Sequence, residues 1–76
     1  MNHDRLVKMA NQIATFFATQ PGDQAKATAE HIRAFWDPRM RKDIKAHVEA
    51  GGEGLDPIAL AAVRLIMDAE TATTSH

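Results

Sequence analysis

The sequence predicts an all-α protein, a small compact bundle of four short helices. Three observations predict it. Apolar residues recur at i, i+3, i+4 and i+7 over most of the chain, the periodicity of a helix with one buried face. Two Asp-Pro pairs, Asp37-Pro38 and Asp56-Pro57, place a capping side chain before a residue preset for the first helical turn. Two clusters, Gln20-Pro21-Gly22-Asp23 and Gly51-Gly52-Glu53-Gly54, interrupt the pattern with turn-forming residues.

The first helix is expected near 4–19, where Leu6, Met9, Ala10, Ile13, Phe16 and Phe17 form one face and Lys8, Asn11, Gln12 and Thr15 the other. Asp23 can cap a second helix near 23–36 with a face of Ala25, Thr28, Ala29, Ile32, Phe35 and Trp36. Small residues at its start allow close approach, and large ones at its end fill a wider gap. Pro38 disfavours helical backbone at the residue before it, so this helix stops near Trp36 and a third runs from 38 to about 50. Met40, Ile44, His47 and Val48 make its narrow stripe, and Arg41, Lys42 and Lys45 make it basic on the outside. Gly51 supplies the left-handed conformation of a helix stop, with Leu55 folding back as its apolar contact.

The fourth helix, near 57–69, carries two stripes. Ile58, Ala61, Ala62, Leu65 and Ile66 read as the inward face, and Leu60, Val63 and Met67 fall on the opposite side, where a surface helix should be polar. The second stripe therefore predicts a partner. The expected core is Phe16, Phe17, Ile32, Phe35, Ile44 and Leu65. Residues 1–70 form one helical domain on this reading, and 71–76 a flexible tail too polar and small to pack.

Bulk properties narrow the function. A single domain of 76 residues buries only about 60–65% of its unfolded surface, so its core is limited. With no Cys, it has neither a disulfide staple nor thiolate chemistry. A net charge of −1 gives no global field for a polyanion. The basic third helix invites a helix-turn-helix reading, but the direct Trp36-Asp37-Pro38 junction leaves little room for the usual turn, and Asp43 and Glu49 dilute the charge, so nucleic acid is not expected as a partner. No apolar run approaches the roughly 20 residues that span a bilayer, and Met1-Asn2-His3-Asp4-Arg5 lacks the layout of a signal peptide. No membrane partner is expected, and the cytoplasm is the expected compartment.

A catalytic or metal site is not expected either. His3 and His76 are terminal, and His31 and His47 share no i, i+4 pair. Asp37 and Asp56 have sufficient roles as caps. The glycines of 51–54 are followed by no Lys-Ser/Thr and preceded by no strand, which speaks against a phosphate loop. What remains is recognition. The helix junction gathers the only Trp with several Arg, and the fourth helix has its second stripe, so the expected partner-binding residues are Arg33, Trp36, Arg39, Arg41, Leu60, Val63 and Met67.

Three stretches also resemble a known family. They are Leu6-Val7-Lys8-Met9-Ala10-Asn11-Gln12-Ile13-Ala14 with Phe16-Phe17; His31-Ile32-Arg33 with Phe35-Trp36-Asp37-Pro38-Arg39-Met40; and His47-Val48-Glu49-Ala50-Gly51-Gly52-Glu53-Gly54-Leu55-Asp56-Pro57. In order and separation they are similar to the delta subunit of cytoplasmic, NAD-dependent, molybdenum-containing formate dehydrogenases. The Trp-Asp/Glu-Pro-Arg-Met junction and the Gly-Gly-Glu-Gly-Leu turn carry most of the likeness. Residues 20–26 and those after Met67 carry none of it.

The resemblance implies a non-catalytic accessory subunit. Its expected partner is the formate dehydrogenase catalytic subunit, which holds bis-molybdopterin guanine dinucleotide and iron–sulfur clusters, and the delta chain would support that subunit's assembly, stability or molybdenum-cofactor loading. No cofactor is expected on this chain alone. The alternative from the residues is a free-standing helical interaction module that forms a homodimer.

Overall fold

Four helices follow one another in a computed structural model that describes residues 3–74, with side-chain surroundings given through residue 69. They are α1 (His3–Ala18), α2 (Gln24–Phe35), α3 (Pro38–Glu49) and α4 (Pro57–Thr74). The first three expected spans hold to within one residue at each end. α4 continues past 69 to Thr74, through part of the expected tail, and residues 75 and 76 lie outside the described residues.

The local signals act as their chemistry requires. Asp23 Oδ1 accepts from the Lys26 N–H at 3.0 Å at the start of α2, and Asp37 Oδ1 accepts from the Met40 N–H at 2.8 Å at the start of α3. Each satisfies an N–H that the first helical turn leaves orphaned. Trp36 ends α2 in extended backbone (φ −89°, ψ 139°), and Asp37, the residue whose helical conformation Pro38 disfavours, is extended as well (φ −74°, ψ 166°). At the end of α3 the chain turns at Gly51 and Gly52 (φ +126° and +67°), whose N–H groups donate to Val48 and His47 at 3.0 and 2.9 Å. Those bonds use carbonyls the last turn would otherwise leave open.

α4 is the central element. It packs against α1, α2 and α3, most extensively against α2. Its fully buried residues are Ala59, Ala62, Val63 and Ile66, a single i, i+3, i+4, i+7 stripe. This stripe shares Ala62 and Ile66 with the inward face expected from sequence and is turned from it by roughly 80° around the helix, toward Val63 and away from Leu65. The reason is close approach. Ala59 and Ala62 of α4 and Thr28 and Ala29 of α2 are all small and buried, and α2 is the helix against which α4 packs most extensively, as close helix approach on small side chains requires.

Leu6, Ala10 and Ala14 of α1, Ile32 and Trp36 at the end of α2, and Ile44 and Val48 of α3 complete the core. Thr28 is buried without a polar cost because its Oγ1 donates to the Gln24 carbonyl at 2.8 Å. Of the expected core, Ile32 and Ile44 are fully buried and Phe17 half-buried, but Phe16, Phe35 and Leu65 are exposed by 62%, 74% and 42%. No helix among the described residues is long and apolar enough to cross a membrane.

Candidate partner-docking surface

The structure separates the expected partner-binding residues. On α4, Val63 is completely buried, and Leu60 and Met67 are half-buried against the core, so the expected second stripe is not a free surface. A helix that is apolar on most sides is one its own protein largely covers, and α4 packs against all three other helices. Leu60 in particular lies under the glycine turn. A Cβ at Gly52 would fall 2.8 Å from Leu60 Cδ1, so the turn closes on that side chain as tightly as a backbone without a Cβ allows.

At the helix junction Trp36 is only 6% exposed and belongs to the core, so it cannot serve as a surface anchor. Its buried ring fills the space where α2 ends, as the small-to-large gradient along α2 requires. The arginines divide. Arg33 and Arg39 are exposed and Arg41 is half-buried.

The exposed apolar surface lies where the sequence reading placed core. Phe16 and Phe17 on α1 meet edge to face with ring centroids 5.1 Å apart. Phe17 then meets the His31 ring of α2 at 6.0 Å, and His31 lies against Phe35 at 4.5 Å. These four rings form one continuous row across the α1–α2 seam, with its two ends, Phe16 and Phe35, the most exposed large hydrophobic side chains among the described residues. His31 and Phe35 are i, i+4 neighbours on α2, which sets their rings on one face. Beneath the row is an open groove of about 330 Å³ lined by Gln12, Ile13, Phe16, Phe17 and His31. Such a surface offers aromatic area with few side-chain rotors to immobilise, the material of interface anchors.

Two further features lie elsewhere on the molecule. Arg33, Pro38, Arg41 and Lys45 line a cleft of about 240 Å³ between the end of α2 and α3. The Arg41 Nε within that group is shut off from solvent and has no hydrogen-bond partner. An unsatisfied buried donor costs about 1–3 kcal/mol, more when it is charged. On the opposite side of α3, His47 Nε2 lies 2.7 Å from the Glu53 carbonyl oxygen, and the His3 ring meets the His47 ring edge-on at 5.5 Å. A hydrogen bond from His47 to that carbonyl fastens the glycine turn, which is a structural use of the side chain. Among the described residues no group of three His, Cys, Asp or Glu is placed to hold a metal ion.

Asn11 is the polar residue whose role sequence reasoning missed. Its Nδ2 donates to the Gly54 carbonyl at 2.9 Å and its Oδ1 accepts from the Asp56 N–H at 2.8 Å. It lies on the side of α1 that the periodicity assigns to solvent, and only the packed loop gives it partners. The exposed ends of the aromatic row were missed for a different reason. Apolar character at helical spacing marks a face to be covered, and it does not say whether this chain or another covers it.

Compared with known proteins, residues 5–63 match the model of the family described as NADH-dependent formate dehydrogenase delta subunit FdsD. No curated protein and no solved structure matches the chain.

Proposed function

The chain belongs to the NADH-dependent formate dehydrogenase delta subunit family, and on that premise we propose that it is a non-catalytic accessory subunit that docks on the catalytic subunit through the aromatic row. The family match supports the complex as its setting. The observation that carries the docking surface is the exposed line Phe16–Phe17–His31–Phe35. Covering Phe16 and Phe35 removes apolar area from water that folding leaves exposed, at about 25 cal/mol per Å². The exposed Arg33 and Arg39 supply polar rim groups of the kind that surround such anchors.

The chain contains no Cys, and its expected service to the enzyme is mechanical. It holds the catalytic subunit in a form that assembles and keeps its molybdenum cofactor, while that subunit carries bis-molybdopterin guanine dinucleotide and the iron–sulfur clusters. The complex works in the cytoplasm on this reading.

The test is co-purification of the complex through a tagged catalytic subunit, with Phe16→Ser and Phe35→Ser introduced together. The variant chain is expected to stay folded and to be lost from the complex, with lower molybdenum content and formate oxidation in the purified enzyme. A folded variant that co-purifies normally overturns the aromatic row as the docking surface. An enzyme fully loaded and active after deletion of the whole chain overturns the accessory role.

A further inference from the structure

We propose that two copies of the free chain pair through the aromatic row, in a reversed two-fold contact that sets Phe35 of each copy in the groove beside Phe16 of the other. The row carries a projection and a recess on one surface. Phe35 stands out at one end, and the groove of about 330 Å³ lies toward the other, lined by Gln12, Ile13, Phe16, Phe17 and His31 but not by Phe35. A closed two-fold contact needs a patch that is complementary to itself, so that each residue meets a different residue of the other copy. A strip with a projection toward one end and a recess toward the other meets that condition when one copy is turned end for end.

Charge is the second observation. The rings follow in the order Phe16, Phe17, His31, Phe35, with centroids 5.1, 6.0 and 4.5 Å apart. Reversal sets Phe16 against Phe35 and Phe17 against His31, with the two-fold axis between Phe17 and His31. The one ionisable ring therefore faces a phenyl group of the other copy and not its own counterpart, a contact that suits imidazole as an aromatic ring and as a cation. The groove lining holds no Asp, Glu, Lys or Arg, so an uncharged side chain fits it, and the exposed Phe35 is one. The charged side chains of α2, Lys26, Glu30 and Arg33, line the groove toward α4 with Leu65 and Ile66, outside the row. Asp4 and Lys8 of α1 line the cleft beside His47 and Gly54. Arg5 lies seven residues before Gln12, roughly 10 Å along α1 and away from the axis, and Arg39 belongs to the next helix, α3. Like charges opposed across an interface cost affinity, and this strip brings none together. Four rings a copy make a small interface, so the dimer is expected at micromolar concentration and yields to a tighter partner on the same row. The pairing shares its surface with the docking reading and does not rest on it.

The experiment is sedimentation equilibrium of the full, isolated chain from low micromolar to near-millimolar concentration, with an isotope-filtered NOESY on an equal mixture of labelled and unlabelled chain at the upper end. The mass is expected to rise from one chain to two and stop there, and intermolecular contacts are expected from the Phe35 ring to Phe16 and Ile13. Phe35→Ser should weaken the dimer at least tenfold, whereas Leu65→Ser, exposed in the groove between α2 and α4, should leave it unchanged. If circular dichroism shows that Phe35→Ser does not fold, the filtered contacts of the wild type decide. A single-chain mass at every concentration, a mass that climbs past two chains, or intermolecular contacts centred on Leu65 overturns the pairing. A monomeric chain whose Phe16→Ser, Phe35→Ser variant is still lost from the catalytic subunit overturns the dimer and keeps the docking reading, and a dimer whose row variant co-purifies normally does the reverse.

Discussion

The side chain of Asn11 accepts the backbone N–H of Asp56 at 2.8 Å across 45 positions of sequence. The same amide donates to the Gly54 carbonyl at 2.9 Å, so one residue of α1 fixes both the exit of the glycine turn and the entry to α4. Asp56 is then set for its own carbonyl to accept the Leu60 N–H at 2.8 Å, the first bond of the helix. Asn11→Ala leaves two backbone groups without these partners and is expected to cost about 1–3 kcal/mol. A thermal melt checks the size, and amide exchange at Asp56 should accelerate before exchange in the middle of α4.

The turn that Asn11 holds also depends on the absence of a side chain. Gly52 has φ +67°, and an added Cβ would lie 2.8 Å from Leu60 Cδ1. Gly52→Ala is therefore expected to destabilise the fold by about 1–3 kcal/mol through overpacking together with the left-handed backbone. Leu60→Ala removes the opposing atoms. The double variant should be less destabilised than the sum of the two single variants, and a double-mutant cycle by denaturant unfolding measures that difference. Strict additivity would show that the strain is in the backbone alone.

These two relationships mark the boundary of what the sequence discloses. Asp23, Asp37, Pro38 and Gly51 act on backbone groups within four residues of themselves, so their effects are legible without knowing the fold. Asn11 acts over more than forty residues, and nothing local distinguishes it from Gln12 or Thr15. The orientation of α4 was misread in part: Ala62 and Ile66 of the expected face are buried, but a helix with two apolar stripes does not rank Val63 against Leu65, and it is Val63 that is buried and Leu65 that is exposed. Phe16 and Phe35 were expected in the core and are exposed instead, because apolar character at helical spacing does not say which chain covers it.

Val63 and Leu65 test the revised orientation of α4. Val63 is 0% exposed and Leu65 42%, although the periodicity assigned them the reverse. Val63→Asp places an unpaired carboxylate in the core, and a buried charge left without compensation costs about 3–5 kcal/mol. A domain this small has a core worth about 3–5 kcal/mol in all, so the variant should be unfolded at room temperature. Leu65→Asp should keep the helical circular dichroism and the melting midpoint of the wild type. The opposite pattern would restore the orientation read from sequence.

Phe35 and Trp36 are adjacent in the chain and are expected to fail in opposite ways. Phe35 ends α2 with its ring 74% exposed against His31, whereas the Trp36 ring is turned into the core with 6% exposed. Trp36→Ala removes a large buried ring and should cost about 3–5 kcal/mol, so the chain unfolds whether or not a partner is present. Phe35→Ser removes a ring that folding scarcely covers, and its effect on stability should stay within about 0.5 kcal/mol. Its effect on association should be larger, because a partner desolvates the ring fully and an aromatic anchor at an interface centre carries 2 kcal/mol or more, roughly a thirtyfold loss in affinity. Melting of the isolated chain and titration against the catalytic subunit separate the two quantities. A Phe35→Ser chain that melts like the wild type and binds like it would leave the row without an energetic role in docking, and a Trp36→Ala chain that stays folded would remove Trp36 from the core.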